Sequence, residues 1–216
     1  MQNARSTSGY FRTPAAAGLL TGTLAAGLWN LVSVAKFYWT NSPWLIGFVL
    51  LATYTICLQA PGIAFRNSAH IRPAFRWAFW IWLVQMPFPI ACFFSPWRYS
   101  YTFLFEHYLL ISFLTQALAG AMLGHALVRM YSVRNATGAC MALGALGASL
   151  NAPVTLWYTL VYSDSDIDPS HEFLALWQML YLLCFVAAVF LPSLLIEHRM
   201  ARVRREARAE PVEVSP

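Results

Sequence analysis

The chain has 216 residues, of which 59% are hydrophobic and only 11% charged. Soluble domains carry about a quarter charged residues, so this composition, with nine Trp, ten Tyr and fifteen Phe, argues against a water-soluble globule and for the membrane class. The net charge of +5 is no nucleic-acid footprint, because the arginines are spread between apolar runs instead of gathered in one patch.

Taken in order, the sequence opens on a polar arm, residues 1–13, with Arg5 and Arg12. The apolar run that follows is too long for the core of a cleavable signal peptide and is expected to remain as a first span. Six stretches of roughly 20 residues or more can each cross a bilayer: 14–37, 44–65, 74–96, 101–129, 136–162 and 172–196. The expected fold is therefore all-α and polytopic, a six-helix transmembrane domain over 14–196 followed by a basic tail over 197–216.

Basic residues set the orientation. On one side fall Arg5 and Arg12, then Arg66, Arg72 and Arg76, then Arg129 and Arg134, and Arg199 to Arg208 in the tail; the other side has only Lys36 and Arg98. The expectation is an inner (plasma) membrane protein with both termini cytoplasmic. Tyr38, Trp39, Trp44, Trp97, Tyr99, Trp157 and Tyr162 gather at the outer ends, as amphipathic rings favour the headgroup layer. The loops are too short to hold a soluble domain.

The fourth stretch carries Glu106, the one carboxylate inside an expected span apart from Glu172 at the very edge of the sixth, beside His107. An ionisable group at such a place needs a partner or a purpose. At 100° per residue, Glu106, Ala117, Gly120 and Gly124 share a face, as Gly18, Gly22, Trp29 and Lys36 do on the first stretch. Gly18 to Lys36 and Glu106 to Gly124 are both eighteen residues apart, about 27 Å along a helix. Antiparallel packing of the two would set Gly18 on Gly124, Gly22 on Gly120 and Lys36 by Glu106, since small residues let helices approach closely.

Other constellations are weaker. His107 and His125 have no histidine at matching depth on another stretch, which argues against haem, and no cofactor is expected. Asp164, Asp166, Asp168, His171 and Glu172 form an acidic outer loop, but Pro169 stands where a calcium loop needs Gly, so no metal site is assigned. Cys57, Cys92, Cys140 and Cys184 lack the spacing of an exchange motif and are read as packing residues. Gln59-Ala60-Pro61 and Asn151-Ala152-Pro153 mark two helix interruptions, a layout met in inverted-repeat transporters. No nucleophile elbow, HExxH, P-loop or dinucleotide fingerprint is present.

Asn30, Lys36, Glu106, His107, Asn151 and Gln178 lie in the outer halves of their stretches and Gln85 near the middle. Together they suggest an outward-facing polar cavity that binds or moves a small solute or ion. Two other classes compete: an accessory, sensor or immunity-type subunit acting through a membrane partner or a second copy, and a lipid-active enzyme using Glu106 and His107. The bilayer is a partner in all three, nucleic acid in none.

Overall fold

A computed structural model describes residues 13–39, 43–85, 101–150 and 171–209, with side chains throughout these save mainly at 32–39, 43–46, 101–112, 171–175, 177, 178 and 181. Among the described residues the fold is helical, without strands. Its helices are α1 (Pro14–Trp39), α2 (Pro43–Cys57), α3 (Ala60–Phe65), α4 (Ile71–Gln85), α5 (Tyr101–Tyr131), α6 (Thr137–Ser149) and α7 (His171–Ala209). They overlie the apolar stretches expected from the sequence, with α2 and α3 sharing the second.

Local chemistry explains the boundaries. Thr13 caps α1, its hydroxyl accepting the Ala16 N–H at 3.2 Å, and Pro14 takes the first position, where its missing N–H costs nothing. Between α2 and α3 the ladder tightens, Gln59 donating to Ile56 at 3.0 Å. Pro61 has no N–H to return to the Cys57 carbonyl, which is why the helix breaks there. The companion interruption at Asn151–Pro153 lies outside the described residues. Helix α7 runs through Pro192, whose carbonyl accepts the Cys140 thiol at 3.7 Å.

Two turns close in the same manner. After α3, Arg66 donates to Ile63 and Asn67 to Gly62; after α5, Ser132 donates to Arg129 and Val133 to Val128. Both are Schellman closures, with Arg66 and Ser132 in the left-handed region at φ 54° and 60°. A short 3₁₀ turn then starts the next helix, Ser68–His70 in one case and Arg134–Ala136 in the other.

The helices alternate in direction. Gly18 meets Ser193 while Gly22 meets Val186, and Gly120 meets Gly144 while Gly124 meets Cys140; numbers that rise on one helix fall on the other, so α1/α7 and α5/α6 are antiparallel. One end of the bundle gathers the start of α1, both Schellman turns and Glu197. There Glu197 Oε2 accepts the Ala15 N–H at 2.9 Å, and Phe65 packs edge-on against Tyr131 at 5.5 Å. A carboxylate at the start of a helix answers orphan N–H groups and the positive end of the dipole.

The core is built from Leu58, Ile81, Leu123, Leu127, Val189 and Ile196, with many alanines between them. Buried hydroxyls return to their own helices: Thr21 donates to the Ala17 carbonyl at 3.0 Å and Thr53 to Val49 at 2.7 Å. Among the described residues two helical stretches, Gly47–Phe65 and Leu182–Ala207, are long and apolar enough to cross a bilayer.

Candidate functional site

Small residues decide which helices touch most closely. A Cβ on Gly120 or Gly144 would strike the opposite backbone, and one on Gly124 would strike the Cys140 carbonyl. On Gly147 it would come within 2.6 Å of the Ala188 nitrogen, and on Gly18 within 2.5 Å of Ser193 Oγ. All four glycines singled out in the sequence thus sit at close helix contacts, but with different partners from those expected. Gly18 and Gly22 lie on α7, and Gly120 and Gly124 on α6.

The expected Gly18–Gly124 and Gly22–Gly120 register is therefore corrected. The physical reason is connectivity: α5 and α6 are joined by a turn of a few residues, which makes them antiparallel neighbours by default. The α5 glycine face is already filled by Cys140 and Gly144. That face cannot also serve α1.

Beside this seam a small cleft opens between α2, α4, α5, α6 and α7. It is lined by Leu50, Tyr54, Gln85, Gln116, Gly120, Leu123, Ala148, Cys184, Phe185 and Ala188, and encloses about 40 Å³, room for roughly three waters. Gln85 is fourteen residues beyond the start of α4 and Gln116 fifteen residues before the end of α5, so both amides lie about 21–22 Å from the arginine-bearing end. They bring two polar groups to one depth in an otherwise apolar wall. Phe185 closes one side, tilted against Tyr54 at 6.5 Å and Trp29 at 5.9 Å.

Of the residues expected to bind a ligand, Gln85 lines this cleft. Asn30 is half-buried on α1 and is not among the lining residues. The side chains of Lys36, Glu106, His107 and Gln178 lie outside the described residues, as does Asn151. Gln116 was not singled out by the sequence reading. Its signal is local: Gln116 and Gly120 are one turn apart on one face of an apolar stretch. Among the described residues no group of three or more His, Cys, Asp or Glu side chains could hold a metal ion.

A second polar constellation lies at the arginine-bearing end. The Tyr131 hydroxyl is buried with no hydrogen-bond partner among the described residues. Burial pushes its phenol well above the ordinary value of 10, and the negative Glu197 pushes the same way. Ala15 and Glu197 thus tie α1 to α7, and Phe65 and Tyr131 tie α3 to α5. No protein-family model, curated protein or solved structure matches the chain.

Proposed function

We propose that the chain is a multi-pass inner-membrane protein with both termini cytoplasmic, which binds or moves a small solute or ion through an outward-facing polar cavity. The observation that carries the site is the pairing of Gln85 and Gln116 at one depth of an apolar cleft. In this reading the cleft is the inner end of the cavity, and Glu106, His107, Lys36, Asn30, Asn151 and Gln178 belong to its outer part.

The membrane reading is supported by the outer surface. Leu19, Leu24, Leu31, Phe48, Phe75, Phe79, Leu114, Leu118 and Leu183 are exposed, large apolar side chains on several helices that lipid would cover. Even the exposed Thr23 hydroxyl folds back onto the Leu19 carbonyl at 2.8 Å, as lipid requires of a polar group that meets no water. Gly47–Phe65 and Leu182–Ala207 are only 44% and 33% buried, whereas the core helix of a soluble protein would be mostly covered. The orientation is supported by the arginines sharing an end with the start of α1 and with Glu197.

The test is purification from native membrane without overexpression, followed by mass spectrometry of small molecules released on denaturation. A solute at near-stoichiometric amount is expected, falling about tenfold or more in Gln116→Leu and Gln85→Leu, since an unmatched buried polar partner costs a ligand several kcal/mol. Equal content in all three proteins would sink the cavity reading. A stoichiometric protein partner with no solute would replace it with the accessory-subunit reading.

A further inference from the structure

On the outside of the bundle, α4 and α5 part to leave a groove of about 510 Å³, lined by Pro73, Arg76, Trp77, Trp80, Val84 and Met122. It is separate from the glutamine cleft. From this groove we infer a specific site for one anionic phospholipid, its phosphate on Arg76 and an acyl chain laid along Trp80, Val84 and Met122. This rests on the membrane reading above.

The lining follows the chemistry of a phospholipid from head to tail. Arg76, Trp80 and Val84 are spaced four residues apart, so they form one stripe on α4 about 12 Å long. Along it the side chains pass from cationic, through an amphipathic ring, to aliphatic. Arg72 stands one turn before Arg76 on the same stripe, and both are exposed. The stripe begins at the arginine-bearing end, where Arg76 would sit at the headgroup layer and Val84 in hydrocarbon. Trp80 is 48% exposed, at the depth that ester groups occupy.

The opposite wall adds a second cation at the same end. Trp77 packs edge-on against His125 at 5.5 Å, and His125 Nε2 accepts Arg129 Nε–H at 3.5 Å. Arg129 is exposed. Among the described residues the ion pair is Arg202 with Glu206, far along α7, and neither Arg76 nor Arg129 forms one there. A positive, aromatic-walled groove opening sideways complements a phosphodiester attached to a hydrocarbon chain; basic pockets between helices at the cytoplasmic face hold anionic headgroups in this way. A soluble anion would leave the Trp80–Met122 portion empty.

Tryptophan quenching reads the site directly. The full chain is placed in phosphatidylcholine nanodiscs containing a minor share of phosphatidylglycerol with brominated acyl chains, and compared with discs in which the brominated lipid is phosphatidylcholine. Quenching by the anionic lipid should saturate at a lower mole fraction. Arg76→Gln should weaken that preference about fivefold, since one basic group near the surface is worth about 1 kcal/mol, while leaving quenching by brominated phosphatidylcholine unchanged. Trp80→Phe should remove most of the saturable component. Excess inorganic phosphate should displace nothing.

Equal quenching by both lipids, insensitive to Arg76→Gln, would overturn the lipid site while leaving the membrane reading intact. Displacement by inorganic phosphate would overturn it in favour of a soluble anion. If neither brominated lipid quenches, the chain is not in the bilayer, and the membrane reading falls with the site.

Discussion

Between α5 and α6 no methyl group can be added at Gly120, Gly124 or Gly144 without striking the opposite backbone; between α4 and α5 Trp80 and Met122 line an open groove. The first region continues through Gly147 on Ala188 to Gly18 on Ser193, so that α5, α6, α7 and α1 form one seam of small residues. The second region, α2 and α4, mixes small and large side chains: Ala74 and Ala78 are buried there beside Leu50, Tyr54, Leu58 and Ile81, with Trp77 and Trp82 partly so. Backbone-to-backbone contact offers one registration only. Side chains with rotamers can shift; the outer groove lies where they do, and the glutamine cleft lies on the border where they meet the seam. The seam is suited to hold the fold, and the bulkier side and its border to accept ligands.

Breaking the seam should have the largest effect. Gly144→Leu sets a branched side chain against the Gly120 backbone, and no rotamer can escape an opposing main chain. The expected outcome is loss of a monodisperse peak on size-exclusion chromatography in detergent. Gly138→Leu, with nothing within 4 Å of the added Cβ, should elute as the parent does. If Gly144→Leu also elutes normally, α5 and α6 are not in backbone contact.

On the other side the same kind of insult should be graded. Ile81 is fully buried, and Ile81→Ala should cost about 2–5 kcal/mol through the cavity it leaves, read as a lowered thermal midpoint. Ile81→Leu keeps the volume and should cost less than about 1.5 kcal/mol. Comparable loss from both would mean that α4 is packed as rigidly as the seam.

The contrast also explains what was legible in advance. Apolar runs marked the helices, because length and hydropathy are local properties. Pro61 marked an interruption for the same reason. Gly18, Gly22, Gly120 and Gly124 were recognisable as packing residues, but their partners were not, since two glycine faces in register can each pair elsewhere. Cys140, Gly144 and Gly147 offer a small-residue face on the nearest neighbour in the chain, and proximity in sequence outweighs a coincidence of spacing between distant stretches. Gln85 was visible as a polar residue within an apolar run; Gln116 was equally visible and was masked by Glu106. The groove could not be foreseen, because it depends on how far α4 and α5 diverge.

Tyr131 tests the junction between the two regions, where α3 meets α5. Its buried hydroxyl has no partner among the described residues, so Tyr131→Phe removes a desolvated polar group and should stabilise by about 1 kcal/mol at neutral pH. The folded protein holds the phenol above its ordinary value of 10. Below that pH both states keep the proton and stability is unaffected. Above it the unfolded state ionises first, so stability falls as pH rises. Tyr131→Phe lacks that contribution, and its stability should decline less steeply above pH 10 in parallel urea titrations. Identical slopes would mean that the hydroxyl reaches water.

The smallest effect gives the sharpest contrast, because it sets two glycines of one helix against each other. A Cβ on Gly22 lies 3.0 Å from the Val186 Cα, whereas on Gly27 it meets nothing within 4 Å. In both variants the unfolded chain loses freedom to the same extent, which alone favours the fold by about 0.4–1 kcal/mol. At Gly27 nothing opposes this gain, and Gly27→Ala should raise the thermal midpoint slightly. At Gly22 the α7 backbone would have to move, which α7 cannot do without disturbing Ser193 at Gly18, so Gly22→Ala should lower it. Since helix propensity, solvent and unfolded state are shared, a difference in sign measures the contact alone. Equal shifts at both positions would show that α1 rests on α7 more loosely than the seam requires.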